Sequence, residues 1–230
     1  MEHDLRLKVE EFAKKFCKKD SEDAKLWENH VQLVRKFALK LAKIERADEE
    51  TVEISALLHD IGKDKGRKGH NERSYELSKK FLKEINLSEN KKKLILKCIL
   101  KHSSKFSDED NKIEVKVIQS ADALGTFFDE EWQKLSRETM PKQELLDLFD
   151  KSFKKINLAS ARKIVKPQIE KGNYEVASAI LEFEFFECIY PNKNKIENNI
   201  HMGLSFLETS VNLLDALKSK NKGEIETIGN

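Results

Sequence analysis

Along this 230-residue chain, apolar residues recur three and four positions apart almost everywhere, and the interruptions fall at polar clusters or capping residues. That period belongs to helices that bury one apolar stripe, and it is incompatible with strands whose faces alternate. Eight glycines and three prolines are too few for the turns of a many-stranded sandwich, propeller or barrel. Hydrophobic residues at 39% and charged residues at 37% suit amphipathic helices with solvated outer faces, in a chain long enough for one ample core. The expected fold class is all-α.

Leu5, Val9, Phe12 and Phe16 mark a first helix from Leu5 to Lys18, and Leu26, His30, Val34, Phe37 and Leu41 share one face of a second, from about Asp23 to Glu45. Asp48 is a suitable N-cap for a third, through Val52, Ile54, Ala56, Leu57 and Leu58, with Gly62 placed to close it as a left-handed C-terminal cap. Between Gly62 and His70 runs a basic loop, Lys63-Asp-Lys-Gly-Arg-Lys-Gly69, rich in a residue the chain otherwise uses sparingly. Asn71 or Glu72 opens a helix with Tyr75, Ser78, Phe81, Leu82 and Ile85. Ser88 caps the next, with Leu94, Ile95, Cys98, Ile99 and His102. After a polar loop from Ser103 to Lys112, the segment Glu114 to Phe128 sets Val115, Ile118, Asp122 and Gly125 in line. Further helices are expected at Glu144 to Lys155, from Leu158 to just before Pro167, at Asn173 to Tyr190 and at Ile196 to Ser219.

Forty-three Lys and Arg against 41 Asp and Glu leave a formal charge of only +2, which gives no general electrostatic case for duplex nucleic acid or an anionic membrane. Cys17, Cys98 and Cys188 are odd in number and far apart, so neither a disulfide framework nor a thiolate zinc site is indicated and a reducing cytoplasm is the natural location. The start is polar, Met-Glu-His-Asp, and no apolar run approaches the roughly 18 residues of a membrane span.

The chemistry sits on helix faces that should point inward. His30 lies between Leu26 and Val34, His59 and Asp60 between Ala56 and Ile61, and Asp122 between Ile118 and Gly125. A carboxylate buried without compensation costs several kcal/mol, and no Lys or Arg stands three or four positions from Asp122. A divalent cation would supply the charge; imidazoles with carboxylates suit manganese, iron, nickel, cobalt or zinc. His59 and Asp60, adjacent at a helix end, can converge on one ion, with His30 and Asp122 arriving from separate helices. Four such ligands leave room for a water acidified toward neutrality.

The order His30, His59-Asp60, Asp122 resembles the HD superfamily of metal-dependent phosphohydrolases, with His59-Asp60-Ile61-Gly62 similar to its HDIG form. The flank Trp27-Glu-Asn-His30, the run Ser55-Ala-Leu-Leu-His-Asp-Ile-Gly-Lys63 and Ser120-Ala-Asp-Ala-Leu-Gly125 extend the likeness over residues 20–130. The resemblance implies an HD-type helical bundle and one divalent ion held by His30, His59, Asp60 and Asp122. It also implies hydrolysis of phosphate ester or anhydride bonds in a small phosphorylated metabolite, expected to be a nucleotide. His70 and His102 fall where relatives with a second metal place extra histidines, and are candidates for a second ion or for the substrate phosphate. Relatives that hydrolyse guanosine tetraphosphate carry Glu-Asp where this chain has Lys63-Asp64, which argues against that substrate. Beside the ligand Asp60, Lys63 and Asp64 are expected to be catalytic, Lys63 donating to phosphate and Asp64 assisting proton transfer, with Arg67 and Lys68 neutralising further phosphates.

The expected organisation is a single helical domain over 1–230: a metal-binding core at 20–130, a helical extension at 131–220 and a disordered tail at 221–230. Taken singly, His30 would more often be a core histidine, and His70 and His102 solvated or helix-end residues; His3 and His201 have no partners in the pattern. Phe183, Phe185, Phe186 and Tyr190 read as core or as a contact between copies in a homo-oligomer. The alternatives kept open are a nucleotide-sensing module that retains fold and metal without turnover, and a paired-iron oxygenase of the same fold.

Overall fold

The computed structural model describes residues 3–17, 26–103 and 112–170. Expectations placed on Asn173 to Tyr190, on Ile196 to Ser219 and on Cys188, His201, the late aromatic row and the tail lie outside the described residues. Among the described residues there are nine α-helices and no strand, as the period and the scarcity of turn residues require.

Helix α1 spans His3–Cys17 and buries Val9, Ala13 and Cys17, one residue per turn along a single stripe. Helix α2, Gln32–Glu45, is preceded by a wider, π-helical turn at Leu26–Val31. Helix α3, Glu49–Leu58, starts at Asp48, whose side chain accepts the Thr51 N–H at 2.6 Å, and every residue from Thr51 to Leu58 is buried. Such all-round burial marks the central helix of the bundle. A short 3₁₀ turn at Ile61–Lys65 leads to α4, His70–Lys83, and α5, Glu89–Lys101, is capped by Ser88 as expected. Helix α6, Ile113–Phe128, is almost as deeply buried as α3. Helices α7, Glu130–Thr139, α8, Lys142–Lys154, and α9, Ala159–Glu170, follow.

Helix α2 packs along α6 and α3, α3 against α5, α4 against α5, and α6 also receives α8 and α9. Val9, Trp27, Val31, Ile54, Leu57, Leu58, Ile61, Leu82, Ile95 and Ile99 form one continuous cluster under α1, α3, α4 and α5. On the other side, Phe127 at the end of α6 meets the rings of Phe149 and Phe153 from α8.

Four expectations need correction. Gly62 does not cap α3 in a left-handed conformation; among the described glycines positive φ belongs to Gly66 and Gly69. Gly62 is required for close approach instead, because a Cβ there would stand 2.4 Å from the His70 carbonyl oxygen and 2.6 Å from the Ser74 nitrogen. Helix α4 opens at His70, after Gly69 in the left-handed region, rather than at Asn71 or Glu72. Helix α9 runs through Pro167, since buried Ala161 and Val165 anchor it and the carbonyl that the proline cannot bond belongs to exposed Lys163. Helix α7 was not anticipated, although Asp129 caps it at 2.9 Å through the Trp132 N–H.

Candidate metal centre

Each donor is set by a local device. His30 comes from the wide turn before α2, and Gly125 on α6 leaves space for it: a Cβ at Gly125 would lie 3.1 Å from the His30 ring and 2.9 Å from Val34 Cγ2. His59 and Asp60 follow the last residue of α3, where Asp60 takes φ −111° and ψ 8° and turns its carboxylate inward. His70 begins α4, His102 follows the end of α5, and Asp122 sits mid-way along α6.

Three of the histidines are oriented by the same contact. Nδ1 of His59 donates to the Ala56 carbonyl at 2.7 Å, Nδ1 of His70 to the Arg67 carbonyl at 2.7 Å, and Nδ1 of His102 to the Ile99 carbonyl at 2.6 Å. A ring nitrogen that close to a carbonyl oxygen carries the hydrogen, so in the neutral ring Nε2 presents a lone pair. Those lone pairs converge. His30 Nε2 and His59 Nε2 lie 3.2 and 3.1 Å from Asp60 Oδ2, and 3.3 and 3.7 Å from Asp122 Oδ1. His70 Nε2 and His102 Nε2 lie 3.3 and 3.5 Å from the other Asp60 oxygen, Oδ1, and 2.9 Å from each other.

These residues fit a metal. Donors held at roughly 2.0–2.2 Å from one ion stand about 3.0–3.5 Å apart at octahedral or tetrahedral angles, which is the spacing found. His30, His59, Asp60 and Asp122 form one group able to hold an ion, and Asp60, His70 and His102 form a second. Asp60 is 1% exposed, and neither of its oxygens accepts a well-directed hydrogen bond. Two neutral imidazoles facing each other through their lone pairs, as at His70 and His102, repel unless a cation stands between them. Burial pushes His102 below its ordinary pKa despite Asp60, which favours the neutral, ligating form.

The remaining charges are paired. Lys63 Nζ contacts Asp60 Oδ2, and Lys155 Nζ reaches Asp122 Oδ2 at 3.1 Å. Burial would raise both carboxyls, yet the His59 imidazole and Lys63 hold Asp60 well below the usual carboxylate range, and Lys155 with His30 does the same for Asp122. Burial and Lys63 press His30 downward, but its contacts with Asp122 and Asp60 outweigh them and its pKa is raised. The cation missing from the neighbourhood of Asp122 in sequence therefore arrives from 33 residues away.

The centre opens onto a cavity of about 510 Å³, within the range of small-molecule sites. His30, Lys63, Arg67, His70 and Asp122 line one side, and Trp132, Leu135, Leu148, Lys151, Ser152 and Lys155 from α7 and α8 line the other. Asn29 donates to Glu131 at 2.8 Å across these two walls. The Gly-rich loop is held by Arg73 on α4, whose guanidinium donates to the carbonyls of Gly62 at 2.8 Å, Lys68 at 2.7 Å and Gly66. Asp64 is half-buried and Lys68 exposed, and neither lines the cavity. His3 lies at the surface beside Asp4. Residue order alone missed Trp132, Lys151, Lys155 and Arg73. The cap Asp129 followed by two acids and Trp132 was the available signal for α7; nothing local marked Lys155.

Helices carrying an ordered His, His-Asp, Asp set around one buried point define a metal-ligating α-helical domain. Residues 27–126 match the family model of the HD domain, a family typically of metal-dependent phosphohydrolases. No curated protein and no solved structure matches the chain. Helices α7 to α9 lie beyond the matched segment. None of the described helices is long and apolar enough to cross a membrane.

Proposed function

We propose that this protein is a metal-dependent phosphohydrolase that cleaves a phosphate ester or anhydride bond of a small phosphorylated metabolite of the nucleotide class. The observation that carries this reading is Asp60, buried, with Oδ2 turned to the His30, His59 and Asp122 set and Oδ1 to His70 and His102, on a cavity bearing four cationic side chains. One carboxylate between two sets of donors favours two ions over one. Divalent ions bound there supply Lewis acidity toward a phosphoryl group and a nucleophile at neutral pH.

The chain's own residues do the rest. Lys63 and Lys155, each resting on a ligating carboxylate, are placed to take the charge of phosphoryl oxygens, and Arg67 and Lys151 extend that field along the cavity. In the overall reaction, water oxygen forms the new bond to phosphorus, the bond from phosphorus to the leaving oxygen breaks, and the proton lost by water balances the one gained by the leaving group. His59, His70 and His102, with Nδ1 tied to backbone, hold their rings fixed through this exchange rather than relaying the proton. The substrate enters as a small molecule, and the three widely spaced cysteines support action in the cytoplasm.

Purified full-length protein loaded with manganese, iron, nickel, cobalt or zinc is incubated with a panel of nucleoside mono-, di- and triphosphates. The expected result is release of orthophosphate or pyrophosphate that Asp60→Ala abolishes. Binding without turnover for every metal would overturn the hydrolase reading in favour of a nucleotide sensor.

A further inference from the structure

Half of the cavity is built by helices outside the HD match, and its two halves differ in chemistry. On α8 the cavity-lining residues fall in a graded row: Lys155, just past the helix end and touching Asp122, then Lys151 and Ser152 one turn back, then Leu148. One turn is about 5.4 Å and seven residues about 10 Å, so this wall passes from cation at the ligands, to cation and hydroxyl, to apolar surface. On α7, Trp132 and Leu135 are three residues apart and line the same cavity. The Trp132 ring stands edge-on to Phe149, centroids 6.2 Å apart and planes at 78°, which fixes its orientation. From the loop side, the Arg67 guanidinium lies over the Trp132 ring, 6.0 Å from its centroid.

We infer that Arg67 and Trp132 form the two jaws of a slot for the planar base of a nucleoside di- or triphosphate, with Leu135 and Leu148 beside it and Lys151 and Lys155 along its phosphates. This rests on the proposed hydrolase reading and deepens it: α7 and α8 set the substrate class. A ring between two stacking partners needs about 7 Å, two contacts of roughly 3.5 Å. The Arg67 guanidinium carbon stands 6.0 Å from the Trp132 ring centroid, about 1 Å short of that separation. Guanidinium and indole planes are the two surfaces on which bases stack without regard to sequence, each through its face. The slot therefore demands an aromatic ring and does not choose strongly among bases. A monophosphate whose base stacks on Trp132 leaves Lys151 or Lys155 unused, whereas a di- or triphosphate engages both.

The test uses the full chain with manganese, and reads intrinsic fluorescence as well as turnover. Trp27 and Trp132 are its only tryptophans. Nucleoside triphosphate is expected to quench the wild-type emission, and inorganic tripolyphosphate is not. Trp132→Phe keeps an aromatic face, so it should retain nucleotide affinity within about threefold while losing the quench. Trp132→Ala should raise KM for the triphosphate 10- to 100-fold more than for tripolyphosphate, the worth of one base stack. Lys151→Gln should reduce the preference for di- over monophosphate about tenfold. Equal quenching by tripolyphosphate, or equal KM changes for both substrates in Trp132→Ala, overturns the slot. Turnover of phosphate substrates with no quench leaves the hydrolase standing without the slot; a nucleotide quench lost in Trp132→Phe, with no turnover for any metal, leaves the slot standing without the hydrolase.

Discussion

The two walls of the cavity reach comparable order by opposite means. On the α2 to α6 side, polar groups are buried and fixed one by one: Nδ1 tethers on three histidines, a missing side chain at Gly125 and a carboxylate with no hydrogen bond of its own. On the α7 and α8 side, the functional groups stay partly exposed and are carried by an apolar seam of Phe127, Phe149, Phe153 and Trp132. The first arrangement tolerates almost no change of shape because its donors must meet within a few tenths of an ångström. The second tolerates exchange of side chains so long as the seam remains packed, which is where a family can vary what it accepts without disturbing how it reacts.

Substitutions that strike one wall and spare the other sharpen this contrast. The largest effect is expected for Asp60→Asn, which weakens both donor groups at once: elemental analysis should show loss of both ions, and turnover should fall about 10³-fold or more, the several kcal/mol of transition-state stabilisation that a bound ion supplies. His102→Ala should remove one ion and retain the other. Phe127→Ala, at the seam where α6 meets α8 and only 2% exposed, should cost about 3–5 kcal/mol in denaturant unfolding. Gly125→Ala should leave the helix content intact but lower metal affinity about 10- to 100-fold, because its methyl group displaces the His30 ring; unchanged affinity would show that the wide turn before α2 yields more than its packing suggests. Asp48→Ala, far from both walls, should cost only about 1 kcal/mol through loss of the Thr51 cap.

The smallest change concerns the thiols. Burial pushes Cys17 and Cys98 each to about 12, so near neutral pH both are held as the unreactive thiol. Alkylation of these two positions should be slow in the native protein and rapid in denaturant. The sign for stability is the reverse of a depressed carboxylate: the thiols favour folding equally at all pH values below their ordinary range, and this contribution fades as pH rises from about 9 toward 12. Rapid native labelling of Cys98 at pH 8 would mean that α5 opens locally.

How much of this was legible in the residue order follows from the range of each interaction. His30, His59, Asp60 and Asp122 could be found because each interrupts an apolar stripe, and the structure brings all four together with His70 and His102. Lys155 could not, because its partner Asp122 lies on another helix and no spacing rule links them. Trp132 was hidden by a weak pattern: α7 carries only Trp132 and Leu135 as apolar residues among charged ones, so its cap rather than its period announces it. A glycine after a helix reads as a left-handed cap, whereas at Gly62 close approach to backbone eight and twelve residues away decides its role.

Arg73 has a consequence for how a ligand is met. A loop of glycines and lysines, left to itself, would have to be ordered each time a substrate arrived, at a cost on the order of 1–2 kcal/mol for every residue immobilised. One guanidinium spread over the carbonyls of Gly62, Gly66 and Lys68 moves that entropy loss from binding to folding. Lys63 and Arg67 then greet each incoming molecule from a rim already stiff, and the affinity they confer is spent on the ligand rather than on the protein.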